Sequence, residues 1–169
     1  MIKKYCVLFA GPVGSSKSPI AHFMSCKFNL PILSNDVIRT EVAEDLLDYN
    51  HEEYKKRRDT RLKEILERGE SFIYDASIDR SWKELKELLL EHDFQWFVIS
   101  MDLSKEFLVK LCELKGYNET LKRIDDLLKD HKNFLSHYRS ETHINIDDQN
   151  FPKRLELVTN QFSKWLNQI

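Results

Sequence analysis

The chain is short of the residues that break or staple a fold. In 169 residues there are four glycines, four prolines and three cysteines. With so little glycine and proline, and no stretch rich in either, there is no flexible linker and no low-complexity arm. Cys6, Cys26 and Cys112 are odd in number and lack paired spacing, which argues against a disulfide framework or a cysteine metal site and predicts buried, reduced thiols. Long apolar runs are missing as well. None approaches the ~20 residues of a membrane span, and Tyr5 to Ala10 is too brief for a signal-peptide core, so the expectation is a cytoplasmic protein. An excess of one charge is also absent: 26 basic and 28 acidic residues leave a net charge of −2, with no overall attraction to nucleic acid or anionic lipid. Nor do the six histidines contain an i, i+4 pair with a supporting acid, so a histidine metal centre is not expected.

What remains is an ordinary globular composition, 41% hydrophobic and 32% charged, in a length that fits one domain over residues 1–169 with a real core. Short, mostly apolar runs at Tyr5 to Ala10, Pro31 to Ser34, Ser71 to Asp75, Gln95 to Met101 and His143 to Ile146 read as strands covered on both faces. Helical patterns separate them, at Lys17 to Phe28, Val37 to Asp48, Glu52 to Glu67, Ser81 to His92, Ser104 to Leu114, Glu119 to Tyr138 and Lys153 to Gln168. Period 3.6 is clear in Leu85, Leu88, Leu89 and in Leu121, Ile124, Leu128, Leu135, and Gly69 and Gly116 fall where helices should end. Five strands alternating with helices predict an α/β three-layer sandwich around a five-stranded parallel sheet. Ligands in such sheets bind beyond the carboxyl ends of the strands. That rule selects residues 11–18, Asn35 and Asp36, Asp75, Asp102, and Asp147 with Asp148.

The first of these segments, Gly11-Pro12-Val13-Gly14-Ser15-Ser16-Lys17-Ser18, follows a strand and opens a helix, the setting a phosphate-binding loop requires. Backbone N–H groups of Gly11, Val13, Gly14, Ser15 and Ser16 would curl around a polyphosphate. Lys17 would reach the outer phosphates and the Ser18 hydroxyl would hold Mg2+, with the helix N-terminus adding its dipole. The motif departs from its usual form at one position, Ser16, where glycine is the rule. Asp36 and Arg39, spaced i, i+3 at a helix start, share one face. A carboxylate there can deprotonate an acceptor hydroxyl and the guanidinium can grip a phosphate; the same pair also reads as a helix cap and its solvated partner. Asp75, ending an apolar strand beside the loop, is placed to reach the metal or simply to cap a turn.

These pieces resemble P-loop kinases of the adenylate kinase, polynucleotide kinase and zeta-toxin type, often described as AAA-family ATP-binding proteins. The resemblance rests on GPVGSSKS, LPILSNDVIRTE, GESFIYDASIDRSWKEL and NETLKRIDDLLKDHKNFLSHY, and covers nearly the whole chain. It implies a P-loop NTPase fold with a short lid near Glu113 to Glu119, ATP and Mg2+ as cofactors, and Lys17, Asp36, Arg39 and Arg123 as catalytic residues. Arg123 is the match to an arginine that reaches back to the phosphates after the lid, and it reads equally as a solvated partner of Glu119. A first lid arginine is missing, with Lys110 or Lys115 as its stand-in. Ser18 and Asp75 are the implied metal ligands, and the loop Asp147 to Asn150 falls where the adenine would lodge. The basic stretch Lys55 to Lys63 suggests nucleic acid, but interleaved acids mark an ordinary solvated helix. The expectation is an ATP- and Mg2+-dependent phosphotransferase acting on a hydroxyl of a small molecule, a nucleoside or a polynucleotide 5′ end. The alternative is a nucleotide-binding protein with a degenerate loop and little catalysis.

Overall fold

The computed structural model describes residues 3–169. Its organising element is β1 (Tyr5–Ala10), whose residues from Cys6 onward are completely buried. Side chains alternate across a strand, so β1 feeds two cores. Cys6, Leu8 and Ala10 enter one, and Val7 and Phe9 the other. The strands β2 (Ile32–Ser34), β3 (Phe72–Ser77), β4 (Gln95–Met101) and β5 (Ile144–Ile146) complete a sheet of order β2-β3-β1-β4-β5, every pairing parallel. The α/β three-layer architecture expected from the sequence is therefore present.

Two layers of helices cover the sheet. On one face, α1 (Lys17–Phe28) contributes Ile20, Ala21 and Met24, and the C-terminal helix, α8 (Arg154–Leu166), contributes Val158, Phe162 and Trp165. Cys26 lies two residues past Met24, on the outward side of α1, and is exposed, whereas Cys6 and Cys112 are buried; the expectation of three buried thiols fails at this one. The opposite face packs on α2 (Asn35–Leu46), α3 (His51–Arg68), α4 (Trp82–Glu91) and α7 (Ile124–Tyr138). Each fully buried large side chain in these cores contributes about 1.5–3 kcal/mol. Among the described residues no helix is long and apolar enough to cross a membrane.

One helix differs from its sequence pattern. Glu119 to Tyr138 reads as continuous, yet the chain forms α6 (Asn118–Lys122), breaks at Arg123 with φ −114° and ψ 10°, and resumes as α7. Ile124 turns inward at the break to pack with Leu108 and Cys112 of α5 (Lys105–Lys115). Only Gly116 and Tyr117 join α5 to α6, so the segment in the lid position is a single tight turn.

Candidate active site

The carboxyl end of β1 opens into the loop 11–16, which leads directly into α1. Its shape is one that side chains resist. Gly11 has φ 145°, and a Cβ there would lie 2.7 Å from the Met101 Cβ; at Gly14, φ 86°, it would lie 2.7 Å from the Cys112 sulfur. Ser16, at the position where glycine is usual, is also left-handed, at φ 75° and ψ 33°, and is the N-cap of α1 without a side-chain capping bond. An L-residue held there costs roughly 1–2 kcal/mol, against the smaller backbone-entropy penalty that glycine brings. Ser16→Gly is therefore expected to raise stability by up to about 1 kcal/mol, or about 2–4 °C in Tm for a chain of this size. A calorimetric scan that finds Ser16→Gly less stable than wild type would contradict a strained serine.

Lys17 folds back over this loop. Its Nζ donates to the carbonyl oxygens of Gly11, at 3.0 Å, and Pro12, and lies 3.4 Å from Ser15 Oγ. Burial pushes the ammonium down to about 8; the nearby carboxylates of Asp79, Asp75 and Asp36 oppose the shift, and Lys115 adds to it. The folded chain thus releases this proton near pH 8 while the unfolded chain holds it to about 10.5. Between those values the unfolded state binds more protons, so this group makes stability rise with pH. Binding of a polyphosphate needs the charged form and should weaken over the same interval. Melting curves and phosphate-ligand titrations from pH 7 to 10 are expected to move in opposite directions, and Lys17→Met should flatten both.

The loop is one wall of a polar cleft of about 350 Å³. Five of the site residues named from the sequence outside the loop 11–16 meet here: Lys17, Ser18, Asp36, Arg39 and Asp75. Ser18 Oγ donates to Asp75 Oδ1 at 3.1 Å. Asp75, which the sequence placed last in its strand, is buried within β3 two residues before its end. Burial raises its carboxyl above the usual range; the Ser18 bond and the Lys17 charge pull it back, while Asp36 pushes it up. Asp36 stands exposed in the first turn of α2, its Oδ1 accepting from Arg39 Nη1 at 2.7 Å, and the Arg39 guanidinium stacks over the Tyr54 ring at 4.7 Å. A hydroxyl beside a buried carboxylate, a phosphate-shaped loop with a lysine, and an exposed carboxylate backed by a guanidinium can together bind a polyphosphate and take a proton from an incoming hydroxyl.

Asn35, which the strand-end rule selected, and Lys115, one of the two stand-ins for the lid arginine, also line the cleft, together with Arg80 and Tyr117, which spacing along the chain does not single out. Lys115 Nζ donates to the Gly14 carbonyl at 2.7 Å, which puts a cation from the end of α5 against the loop. Arg80 has Asp130 of α7 at 3.4 Å as its carboxylate partner. Asn35 is buried and donates to Tyr74 Oη at 3.3 Å, leaving its own Oδ1 without a partner. Arg123 is exposed at the α6–α7 break and is not among the cleft-lining residues; the inward residue of that joint is Ile124. The turn Asp147 to Asn150 closes on itself through Asp147 Oδ1 and Asn150 Oδ1, and its residues Asp147 to Gln149 line a different groove, of about 760 Å³, with Asp102 and residues of α7. The arginines of the basic stretch of α3 are paired within the molecule: Arg57 with Glu41, Asp45 and Glu53, Arg58 with Asp59, and Arg61 with Glu41.

The whole chain has counterparts among solved structures. It superposes on a shikimate kinase from Acinetobacter baumannii in complex with shikimate with a TM-score of 0.64 and 15% identity, over 99% of this chain and 95% of that one. A gluconokinase from Sinorhizobium meliloti 1021 gives a TM-score of 0.63 and 14% identity over 98% and 95%. The Mycobacterium tuberculosis APS kinase CysC in complex with AMPPNP and APS gives 0.59 and 13% over 95% and 98%. No family model and no curated protein matches the chain. At these identities the shared property is the fold, which the chain has in common with these three kinases.

Proposed function

We propose that the protein is an ATP- and Mg2+-dependent phosphotransferase that moves a γ-phosphate to a hydroxyl group. The observation that carries this reading is the convergence of Lys17, Ser18, Asp36, Arg39 and Asp75 on one cleft at the carboxyl end of a parallel sheet. The kinase folds it resembles support the same conclusion.

The backbone N–H groups from Gly11 to Ser16 and the start of α1 would hold the phosphates. Lys17 would leave its carbonyl partners to follow the charge that develops on the transferring group. Asp36 would accept the proton of the acceptor hydroxyl as its oxygen bonds to the γ-phosphorus and the bond to the β-phosphate oxygen breaks, releasing ADP. Arg39 would orient Asp36 and contact phosphate. Lys115 is the cation already against the loop, and Arg123 would contribute only if the α5–α7 segment closes over the nucleotide.

Ser18 and Asp75 offer a donor set that fits Mg2+. Asp75 is a carboxylate that burial disfavours as an anion, with one hydroxyl donor beside it, and hard oxygen ligands of this kind suit Mg2+. Ser18 and Asp75 would hold it, and when bound it would neutralise phosphate charge. Among the described residues no cluster of three or more His, Cys, Asp or Glu side chains could hold a metal alone, so water and nucleotide phosphates would complete its shell.

Within the fold, the D-x-x-R pair and the strand-end acid favour the adenylate kinase, polynucleotide kinase and zeta-toxin group. The internally paired arginines of α3 favour a small acceptor over a polynucleotide end. The left-handed Ser16 favours a second reading, a nucleotide-binding protein with little turnover. Melting with and without Mg2+-ATP tests the shared premise: at a hundredfold excess over Kd a site gains about 2.7 kcal/mol, or about 5–10 °C here. No shift at millimolar nucleotide would sink both readings. A shift without ADP formation against any hydroxyl acceptor would select the second.

A further inference from the structure

A buried acid–imidazole couple lies directly beneath the phosphate-binding loop, and none of the roles above uses it. Asp79, two residues past β3, has a side chain 6% exposed, and His131, in the middle of α7, has one 2% exposed. Asp79 Oδ1 accepts from the Gly11 N–H at 3.0 Å and lies 3.1 Å from His131 Nδ1. A carboxylate oxygen only accepts, so Nδ1 is the donating nitrogen. The other ring nitrogen, Nε2, is 3.5 Å from the hydroxyl of Ser100, itself wholly buried on β4. The His131 ring lies parallel to that of Phe134, with 9° between their planes. Three elements, the segment after β3, the end of β4 and α7, thus converge on one backbone N–H of the loop.

That N–H belongs to the residue whose shape the loop most depends on. Gly11 has no side chain with which to hold itself, its φ is 145°, and the Met101 Cβ leaves no space for one. An unconstrained glycine explores both halves of backbone space, so this orientation has to be imposed from outside. The carbonyl of the same residue, with that of Pro12, receives the Lys17 ammonium. A peptide turned at Gly11 would therefore move both the loop entrance and the lysine.

We propose that Asp79, held by His131, is a positioning residue for the phosphate-binding loop: it fixes the Ala10–Gly11 peptide, and through it the carbonyls that place Lys17, in the shape a triphosphate needs. The couple also ties α7, which follows the lid position, to the loop through side chains 52 residues apart. The assignment rests on the nucleotide-binding reading for its ligand but not for the tether.

Two measurements separate those parts. With only four glycines in the chain, the Gly11 amide is readily assigned in a ¹⁵N correlation spectrum of the ligand-free protein. Asp79→Ala and His131→Ala should both move it. In calorimetric titrations with Mg2+-ATP the same two variants should bind roughly 10- to 100-fold more weakly than wild type, the range for loss of a hydrogen bond to a charged group. Asp79→Asn keeps an oxygen that can accept from Gly11 and should recover most of the affinity, a rescue that a loss of packing alone would not predict. If Asp79→Ala fails to fold, Asp79→Asn and His131→Ala carry the test. An unmoved Gly11 amide in His131→Ala overturns the tether. So does an Asp79→Asn protein that folds but binds as weakly as His131→Ala. A wild type that does not bind Mg2+-ATP removes the triphosphate from the proposal, while the Gly11 amide still decides whether the couple holds the loop.

Discussion

Replacing Lys17 by alanine is expected to lower ADP formation from Mg2+-ATP at least ~10²-fold while the fold survives. Transfer of this kind depends on positioning and on charges placed where charge develops, and loss of one such group costs 10²–10³-fold or more. Survival of the fold follows from the contacts. Lys17 rests on loop carbonyls and Ser15, not in either apolar core, and its depressed pKa means that burial of the ammonium is itself unfavourable. The variant should melt within a few degrees of wild type and lose the nucleotide-induced shift. Near-normal turnover would remove Lys17 from the mechanism.

Asp36→Asn is expected to separate chemistry from binding. The carboxylate lines the cleft and is exposed, with its hydrogen bond directed to Arg39. An amide of the same shape keeps an oxygen for that guanidinium but is a far weaker base. Transfer should fall by about 10²–10⁴, the range for a positioned general base, with Mg2+-ATP affinity within about twofold. Single-turnover phosphate transfer, once an acceptor is found among small hydroxyl compounds, gives the first quantity and calorimetry the second. Transfer within a few-fold of wild type would return Asp36 to the role of a helix cap.

The elements that could be read from the chain share a property: their signal lies in a few adjacent residues. β1, β4 and α1 have the bounds their patterns predict, because a buried central strand demands an unbroken apolar run and Gly69 and Gly116 mark helix ends. The α6–α7 break shows the opposite case. Leu121, Ile124 and Leu128 keep a helical period through it and all pack with Leu108 and Cys112, yet the helix is interrupted at Arg123, where only Ile124 of the three becomes buried. An arginine assigned by position along that helix ends outside the cleft lining, while Lys115, the last residue of α5, reaches the loop.

By itself the sequence determined the parallel α/β sheet and the glycine-containing turn after the first strand, and it named the candidates Ser18, Asp36, Arg39 and Asp75 that meet in one cleft. Periodicity and turn chemistry are local, and a parallel sheet brings all its strand ends to one side. Only the tertiary structure decided which cations face the cleft, that the arginines in the basic run of α3 pair with carboxylates of α2 and their own helix, and that Asp79 and His131 meet under Gly11. The pairings between elements join residues a dozen or more positions apart, and their energies depend on burial that the packed core creates.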